Sequence, residues 1–323
     1  MANYLVTGAA GFIGARTSHI LLEQGHTVVG IDNVNDAYDP RMKEYRLKKL
    51  MAVPGFKFHR HDISEKSCIA LFKNEKFEGV INLAARAGVR YSVENPWVFL
   101  ESNVTGTLNM LEVCRQFGCK KFILASTSSI YGENPPYPTP ETASSSEPMQ
   151  PYAASKKGAE ALAHSYHHLY DIDVTVLRFF TVYGPAGRPD LAMFRFVQWI
   201  LEGQPVRING DGNQSRGFTY IDDISRGIIA ALKPVGYEII NLGGHEVISI
   251  NQLVEIVEDL TGKKAIVQHG PPNLADMLNN QADVSKARTM LGWEPQVNLR
   301  QGLKNLIDWY LAERSWAKEV LTP

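Results

Sequence analysis

The sequence has few cysteines, no excess of charge of either sign and no long apolar run. Its 323 residues include three cysteines, whose number and spacing fit neither a disulfide framework nor a zinc site. The 33 lysine and arginine residues balance 34 aspartate and glutamate residues, so the strong basic footprint of a nucleic-acid or anionic-membrane partner is absent. No run of eighteen apolar residues could span a bilayer. We therefore expect a cytoplasmic protein with reduced thiols at Cys68, Cys114 and Cys119.

Short apolar runs alternate with amphipathic stretches through the first half of the chain. The runs are rich in Val, Ile and Leu, as are strands that are buried on both faces. The predicted strands are residues 4–7, 27–32, 57–61, 79–84, 121–126 and 174–178, and the clearest predicted helices are 12–23, 97–117 and 152–170. This alternation predicts an α/β fold with a doubly wound parallel sheet of the Rossmann type, which binds ligands at the carboxyl ends of its strands.

The alternation ends at residues 183–185, and the rest of the chain is more mixed. Glycine-rich loops and one helix are followed by a helix and a strand that return to the sheet, at 193–201, 221–232 and 237–242. From about residue 254 onward the pattern is predicted to be helical, and the Pro- and Ser-rich stretch 134–151 is predicted to be a surface loop. The expected domains are residues 1–180, which the chain rejoins at about 222–245, and a smaller mixed C-terminal domain at 181–323.

Three glycines follow the first predicted strand and open the first predicted helix. Gly8, Gly11 and Gly14 are spaced GxxGxxG, and without Cβ atoms their backbone can approach a pyrophosphate at the N–H groups of the helix N-terminus. Asp32 ends the second predicted strand, where its carboxylate can accept hydrogen bonds from ribose hydroxyls and would repel a 2′-phosphate. The combination predicts binding of NAD rather than NADP.

Tyr152 and Lys156 lie four residues apart in a predicted helix, so they share one face. A free tyrosine has a pKa of about 10, and a nearby ammonium group and a positive nicotinamide ring would favour its phenolate. This pair alone also occurs by chance as an ordinary helix-face pair. The hydroxyl cluster at 126–129, which follows the fifth predicted strand, adds a donor at the same edge of the sheet. The glycine loop, the hydroxyl cluster and the pair of Tyr152 and Lys156 together predict proton transfer by Tyr152.

Three histidines share one predicted helix, and their spacing is compatible with metal binding. His164, His167 and His168 are three and four residues apart, but no cysteine or carboxylate nearby in the sequence completes a set of ligands. We predict no metal site.

With these motifs, the chain resembles the extended short-chain dehydrogenases/reductases, and among them the nucleotide-sugar epimerases, over essentially its whole length. The motifs that carry the resemblance are TGAAGFIG at 7–14, NLAA at 82–85, SNVTGTLNMLE at 102–112, STSSIYG at 126–132, YAASK at 152–156, RFFTVYGP at 178–185, GDGNQSRGFTYIDD at 210–223 and LGWEP at 291–295. Together these motifs are highly specific to the family.

Within the family, the chain is most similar to the 4-epimerases that act on UDP-glucuronate. The similarity lies in GIDN at 30–33 with YD at 38–39, AGVRYS at 87–92 and GPAGRPD at 184–190. It implies an isomerase that interconverts UDP-glucuronate and UDP-galacturonate through a 4-keto sugar, with NAD as a bound prosthetic group. It also implies a homodimer, paired through the helices predicted at 97–117 and 152–170.

The resemblance assigns roles to matching positions. It implies that the catalytic residues are Thr127, Tyr152 and Lys156. It implies that NAD is bound by Gly8, Gly11, Phe12, Ile13, Gly14, Asp32, Asn33, Asp62, Ile63, Leu83, Ala84, Ala85, Asn103, Tyr152 and Lys156. It implies that the UDP-sugar is bound by Arg90, Thr127, Ser128, Ser129, Thr181, Arg188, Val206, Ile208, Arg216 and Asp276.

Some of these positions carry more specific expectations. By the resemblance, Asp62 and Ile63 would touch the adenine, and Val206 and Ile208 would flank the uracil of the substrate. Arg216 would pair with the diphosphate of UDP. The sugar carboxylate would be held by the hydroxyls of residues 127, 128, 129 and 181 and by the guanidinium of residue 188.

Other members of the family remain as alternatives. UDP-glucuronate decarboxylases have a glutamate where this chain has Ser129, and 4,6-dehydratases have Asp-Glu at 128–129. UDP-glucose/UDP-galactose 4-epimerases typically have Asn in place of Thr181. A non-enzymatic module that senses NAD or a sugar nucleotide is a further alternative. Two departures have no interpretation from the sequence: Arg86 stands where the family often has a neutral residue, and Asn273 precedes Asp276 in the segment that holds the ribose.

Overall fold

The computed structural model describes residues 1–271 and 279–322. Within these residues the strands are β1 (Asn3–Thr7), β2 (Thr27–Asp32), β3 (Phe56–Arg60), β4 (Gly79–Asn82), β5 (Lys121–Thr127), β6 (Asp173–Phe179), β7 (Thr181–Tyr183), β8 (Pro205–Asn209), β9 (Ser215–Tyr220), β10 (Tyr237–Leu242), β11 (Glu246–Ser249) and β12 (Ile266–Gly270). The helices are α1 (Phe12–Glu23), α2 (Pro40–Met51), α3 (Val89–Glu94), α4 (Trp97–Phe99), α5 (Gly106–Phe117), α6 (Pro151–Tyr170), α7 (Ala192–Glu202), α8 (Ile221–Ala230), α9 (Ile250–Thr261), α10 (Ser285–Leu291), α11 (Leu299–Ala312) and α12 (Arg314–Ala317).

Seven parallel strands form the main sheet of the described chain, in the order β10, β6, β5, β4, β1, β2, β3. All residues of β4 and β5 are buried, which explains their apolar composition. Because β1 pairs with β2 on one side and β4 on the other, the order reverses there and opens a crevice at the carboxyl ends of these strands. The predicted doubly wound parallel sheet is confirmed.

Helices cover both faces of the sheet, and alternate strand residues enter two different cores. Leu5 belongs to a core with Met110 of α5 and Ala163 of α6. Its neighbour Val6 belongs to the core that includes Leu21 of α1. On that second face, Arg16 of α1 donates two hydrogen bonds to Asp222 of α8, at 2.7 and 2.8 Å. The helices therefore hold the crevice from both sides.

Several elements differ from the sequence-based prediction. The helix predicted at 97–117 is interrupted by a wider π-helical turn at Leu100–Thr105. The segment between β7 and α8 contains β8 and β9, which the sequence suggested were loops, and β12 lies in the part predicted to be helical. All five residues of β12 are exposed, so this strand has no buried face that could give an alternating pattern. It is formed by parallel pairing with β8.

Helix termini are set by local sequence. Asp39 caps α2 by accepting a hydrogen bond from the backbone N–H of Arg41, at 3.0 Å, and Pro40 occupies the first turn. Pro151 likewise occupies the first turn of α6. No helix within the described residues is long and apolar enough to cross a membrane.

Candidate active site

A cavity of about 1190 Å³ lies at the carboxyl ends of the central strands. Residues that directly follow β1, β2, β4 and β5 line it, together with residues from α6 and from the loops after β6. Among the described residues, eight lysine or arginine side chains and five carboxylates line the cavity. The whole chain has a net charge of -1, so positive charge is concentrated here. A cavity of this size and charge suits a large polyanionic ligand or a pair of such ligands.

The cavity brings together nearly all the site residues expected from the sequence. Those that line it are Gly8, Gly11, Phe12, Ile13, Gly14, Asp32, Asn33, Asp62, Ile63, Leu83, Ala84, Ala85, Arg90, Thr127, Ser128, Ser129, Tyr152, Lys156, Thr181, Arg188, Ile208 and Arg216. Val206 is not among them, because its side chain is wholly buried in the core while Arg207 and Ile208 face the cavity. Asp276 and Asn273 lie outside the described residues.

The glycine loop after β1 is tightly fitted. Gly8 has a φ of +66°, and a Cβ atom there would lie 2.8 Å from the backbone nitrogen of Ala84. A Cβ on Gly14 would lie 2.1 Å from the carbonyl oxygen of Gly8. Gly11 precedes α1, and no side chain caps the first turn of that helix. The N–H groups of that turn are therefore not capped by a side chain and can bind an anion.

Acidic and amide side chains follow β2 and β3 at the end of the cavity away from α6. Asp32 is 7% exposed, and its carboxylate accepts hydrogen bonds from the backbone N–H of Ala10 at 3.1 Å and of Val34 at 2.8 Å. Asn33 donates to Asp62 at 2.6 Å. Burial would raise the pKa of Asp62, but hydrogen bonds from Ser64 and Asn33 outweigh it and lower that pKa. Both carboxylates can accept further bonds from a ligand.

Tyr152 lies at the centre of the cavity wall, on the first turn of α6. The edge of its ring packs against Phe99, with ring centroids 6.0 Å apart. Burial raises the pKa of its phenol, while a hydrogen bond with Thr127 and the charge of Arg188 act in the opposite direction. That a nearby ammonium group and a positive nicotinamide ring together favour the phenolate of Tyr152 stays a prediction.

Lys156 and Glu160 continue the line of Tyr152 along α6 at intervals of four residues. The ammonium group of Lys156 is buried and donates to the carbonyl oxygen of Ala125 at 2.9 Å. Burial lowers the pKa of Lys156 to about 8, and the carboxylate of Glu160 opposes this shift. Glu160 in turn accepts hydrogen bonds from Ser126 at 2.6 Å and from Arg178 at 2.8 Å. This buried network keeps the ammonium largely protonated near neutral pH.

Hydroxyl groups and one arginine lie beside Tyr152. Ser128 accepts a hydrogen bond from Asn280 at 3.2 Å, so its own proton remains available to a ligand. Arg188 forms a two-pronged ion pair with Asp190, at 3.0 and 2.5 Å, which uses one edge of its guanidinium. The remaining N–H groups of Arg188 can bind a second carboxylate.

Asn103 is held away from the cavity by its own hydrogen bonds. Its side chain accepts from the backbone N–H of Arg86 at 2.9 Å and donates to the backbone carbonyl of Arg86 at 3.0 Å and to Ser155 at 2.9 Å. Asn103 thus positions the loop after β4, and the contact with the cofactor that the resemblance implied stays a prediction.

Several residues that line the cavity were not predicted from the sequence. Lys43 is on α2, which the sequence analysis did not single out, and the side chains of Asp190 and Asn280 face the cavity from loops. Asp190 stood in a quoted motif with Arg188, and their spacing of two residues was the available signal. Among residues 1–271 and 279–322, no group of three or more His, Cys, Asp or Glu side chains is placed to hold a metal ion.

Comparison with known proteins places this site in a family. The model of the NAD dependent epimerase/dehydratase family matches residues 4–243. UDP-glucuronate 4-epimerase of Thermodesulfobacterium geofontis is 54% identical over 312 residues, which is 96% of this chain and 96% of that protein.

Two crystal structures give the same result for the backbone. UDP-glucuronic acid 4-epimerase of Bacillus cereus, in complex with UDP-glucuronic acid and NAD, is 37% identical with a TM-score of 0.88, over 96% of this chain and 99% of that one. UDP-glucose 4-epimerase of Thermotoga maritima, with UDP-glucose, is 33% identical with a TM-score of 0.90, over 97% of this chain and 99% of that one. Because both share the backbone, the choice between sugars depends on side chains in the cavity.

Proposed function

The chain belongs to the NAD dependent epimerase/dehydratase family, and we propose that its substrate is UDP-glucuronate, which it interconverts with UDP-galacturonate. The observation that carries this assignment is the group of hydroxyls and one arginine beside Tyr152, with serine at both positions 128 and 129. The protein is an NAD-dependent isomerase, and we propose that it works through a 4-keto sugar.

The glycine loop and the acidic end of the cavity fit NAD. Gly8 packs directly against the backbone of Ala84, and the first turn of α1 has no side-chain cap, so its N–H groups can bind a pyrophosphate. Asp32, Asp62 and Ile63 line this end of the cavity, where Asp32 would bind the adenosine ribose and the other two would contact the adenine. Bound there, NAD would supply the acceptor and donor for the hydride at C4 of the sugar, and a positive ring that favours the phenolate of Tyr152.

Tyr152 is the group that moves the proton. Its phenolate accepts the proton of the 4-hydroxyl during oxidation and gives it back during reduction. Thr127, which hydrogen-bonds to the phenol, can donate to the same sugar oxygen and keep it in place. Lys156 supplies a fixed positive charge behind this pair and anchors the first turns of α6 to Ala125 at the end of β5.

The hydroxyls and Arg188 hold the sugar carboxylate. A 4-keto uronate is a β-keto acid, which loses carbon dioxide when its carboxylate bond aligns with the carbonyl π system. Ser128, Ser129 and Thr181 can fix the carboxylate by hydrogen bonds, and Arg188 can pair with it. Holding that group out of alignment favours epimerisation over decarboxylation. Arg216 and Ile208 also line the cavity, where Arg216 would pair with the diphosphate of UDP and Ile208 would flank the uracil.

The test of this assignment is the identity of the product. We expect the purified protein, incubated with UDP-glucuronate without added NAD, to form UDP-galacturonate as detected by NMR. UDP-glucose, the substrate of the neutral-sugar alternative, should be turned over much more slowly under the same conditions. UDP-xylose or a 4-keto-pentose as the main product would defeat the assignment in favour of a decarboxylase. Absence of any turnover by the NAD-loaded protein would favour the non-enzymatic module.

The pH dependence of this reaction tests the role of Glu160. In Glu160→Gln the carboxylate that raises the pKa of Lys156 is removed, so this pKa falls below about 8 and the ammonium loses its proton at lower pH. We expect the alkaline limb of the kcat profile to move down by about one pH unit. Glu112→Gln is the matched control, since Glu112 also pairs with an arginine but on the surface of α5. An unmoved limb in Glu160→Gln would remove Glu160 from the mechanism.

We propose that the chain divides as its topology suggests, and that it forms a homodimer. Residues 1–180 with 222–245 would bind NAD, since β10 completes the main sheet beside β6, and residues 181–323 would bind the UDP-sugar. The apolar side chains of Trp97, Leu100 and Leu169, which are 71%, 45% and 64% exposed, lie at the ends of the helices that would pair in the dimer. Sedimentation of the NAD-loaded protein at the mass of two chains would support this assembly.

A further inference from the structure

Lys43 is a buried lysine at the edge of the cavity, and the mechanism above does not use it. It is 6% exposed, and its ammonium donates to the side-chain oxygen of Asn35 at 2.6 Å, which is an uncharged acceptor. Its charge faces the carboxylate of Asp32 and the guanidinium groups of Arg46, Arg86 and Arg188. Asp32 offsets only part of the repulsion among these cations, and a bound anion would offset more of it.

Arg86 is the second cation of this group that the mechanism leaves without a role. Asn103 fixes the backbone of Arg86 through both its N–H and its carbonyl, which sets where the side chain starts. The guanidinium lies over the ring of Tyr91, 4.8 Å from its centroid, and lines the cavity.

The other two arginines are already committed to partners within the protein. Arg46 donates to the carbonyl oxygens of Ala10, Ala186 and Gly187 and to the hydroxyl of Tyr38, at distances of 2.8 to 3.2 Å. Arg188 is paired with Asp190. Lys43 and Arg86 differ from these arginines, because the contacts described above give their charged groups an amide oxygen and an aromatic ring as partners.

Lys43 and Arg86 lie near the glycine loop, because residues close to them in sequence contact that loop. Gly8 lies directly against Ala84, two residues before Arg86. Ala10 is bound by Arg46, which lies one turn after Lys43 on α2. The loop after β4 and the helix α2 thus approach the glycine loop from two sides, each with one cation. A dinucleotide on the glycine loop places its pyrophosphate, with two negative charges, between them.

We propose that Lys43 and Arg86 form a clamp that closes over the pyrophosphate of the bound dinucleotide, and this rests on the proposed use of NAD. The substrate anions have other partners, because the uronate lies beside Arg188 and the UDP diphosphate beside Arg216. The clamp slows dissociation of a cofactor that must stay bound through every cycle. Arg86 makes that retention stronger than a neutral residue would.

The test measures dinucleotide binding rather than turnover. Equilibrium dialysis gives the Kd of NAD and of ADP-ribose, which shares the pyrophosphate, and of adenosine, which lacks it, at low and high salt. We expect Arg86→Gln and Lys43→Gln each to raise the Kd of NAD and ADP-ribose about tenfold, with a weaker dependence on salt and no change for adenosine. Arg86→Lys should keep most of the affinity, because it keeps the charge.

The same Kd measurements on two surface variants serve as controls. Arg300→Gln and Lys304→Gln remove one charge each from exposed ion pairs on α11 and should leave all three Kd values unchanged. Equal loss for adenosine would show a general structural defect and overturn the clamp. Unchanged NAD binding in both variants, beside normal binding by the wild type, would overturn the clamp alone. A wild-type protein that binds neither NAD nor ADP-ribose would overturn the clamp and the proposed function together.

Discussion

Replacing Tyr152 with phenylalanine is expected to lower kcat for UDP-glucuronate about 10³-fold, which is the range for loss of a general acid–base group. The substitution removes the only atom of this side chain that can exchange a proton with the 4-hydroxyl. The ring itself stays in place, because its contact with Phe99 and its position on the first turn of α6 do not depend on the hydroxyl. NAD should therefore remain bound.

Single-turnover and steady-state assays on the NAD-loaded variant measure this effect, and HPLC of the denatured protein counts the NAD it retains. Tyr237→Phe is a suitable control, since Tyr237 packs on His164 at the outer strand of the sheet and does not line the cavity. Turnover within tenfold of the wild type in Tyr152→Phe would mean that another group moves the proton. Loss of NAD together with turnover would make the role of the phenol structural.

Replacing Gly14 with alanine is expected to abolish retention of NAD. The new Cβ would lie 2.1 Å from the carbonyl oxygen of Gly8 and 2.8 Å from its carbonyl carbon, and both belong to backbone that cannot turn away as a side chain would. The loop must shift from the position in which it approaches the pyrophosphate. We expect the Kd of NAD to rise at least about a hundredfold and the free energy of unfolding to fall by about 3 kcal/mol.

Gly158→Ala is the matched control for this change. Gly158 is also helical, but a Cβ there would meet only the Cγ2 atom of Val104, at 3.5 Å, which is an ordinary contact. Alanine is a better helix former than glycine, so this variant should retain NAD and unfold at the same or a higher temperature. NAD content after gel filtration and thermal unfolding compare the two variants. Full NAD retention by Gly14→Ala would show that the glycine loop does not form the cofactor site.

Most of the central sheet could be predicted because its strands are buried on both faces. Runs such as β5 consist of apolar residues bounded by polar ones, and that pattern is visible without any tertiary contact. β12 could not be predicted, because all its residues are exposed and only pairing with β8 makes it a strand. The π-helical turn before α5 adjusts the register of an otherwise regular helix, which leaves little trace in the residue pattern.

The site was predictable where the chemistry depends on residue type and spacing. The glycine loop, Asp32, Tyr152 and Lys156 are all of this kind, and the structure brings them to one cavity. Burial and electrostatic environment could not be predicted in the same way. The raised pKa of Tyr152 follows from how deeply its phenol lies.

The grouping of charged side chains from different elements could not be predicted from the sequence either. Lys43 faces Arg86 and Arg188 only because α2, the loop after β4 and the loop after β7 meet at the cavity. Val206 and Ile208 share one face of β8, and only the packing of the folded chain buries Val206 in the core while Ile208 reaches the cavity.

The most direct test of the account is the fate of the hydrogen at C4. UDP-glucuronate labelled with deuterium at that carbon is incubated with the protein in ordinary water, and the product is examined by NMR and mass spectrometry. The account predicts UDP-galacturonate that keeps its deuterium at C4, because the hydrogen removed from this carbon returns to its opposite face without reaching solvent. A product that has exchanged the label for solvent hydrogen, or that has lost carbon dioxide, would contradict it.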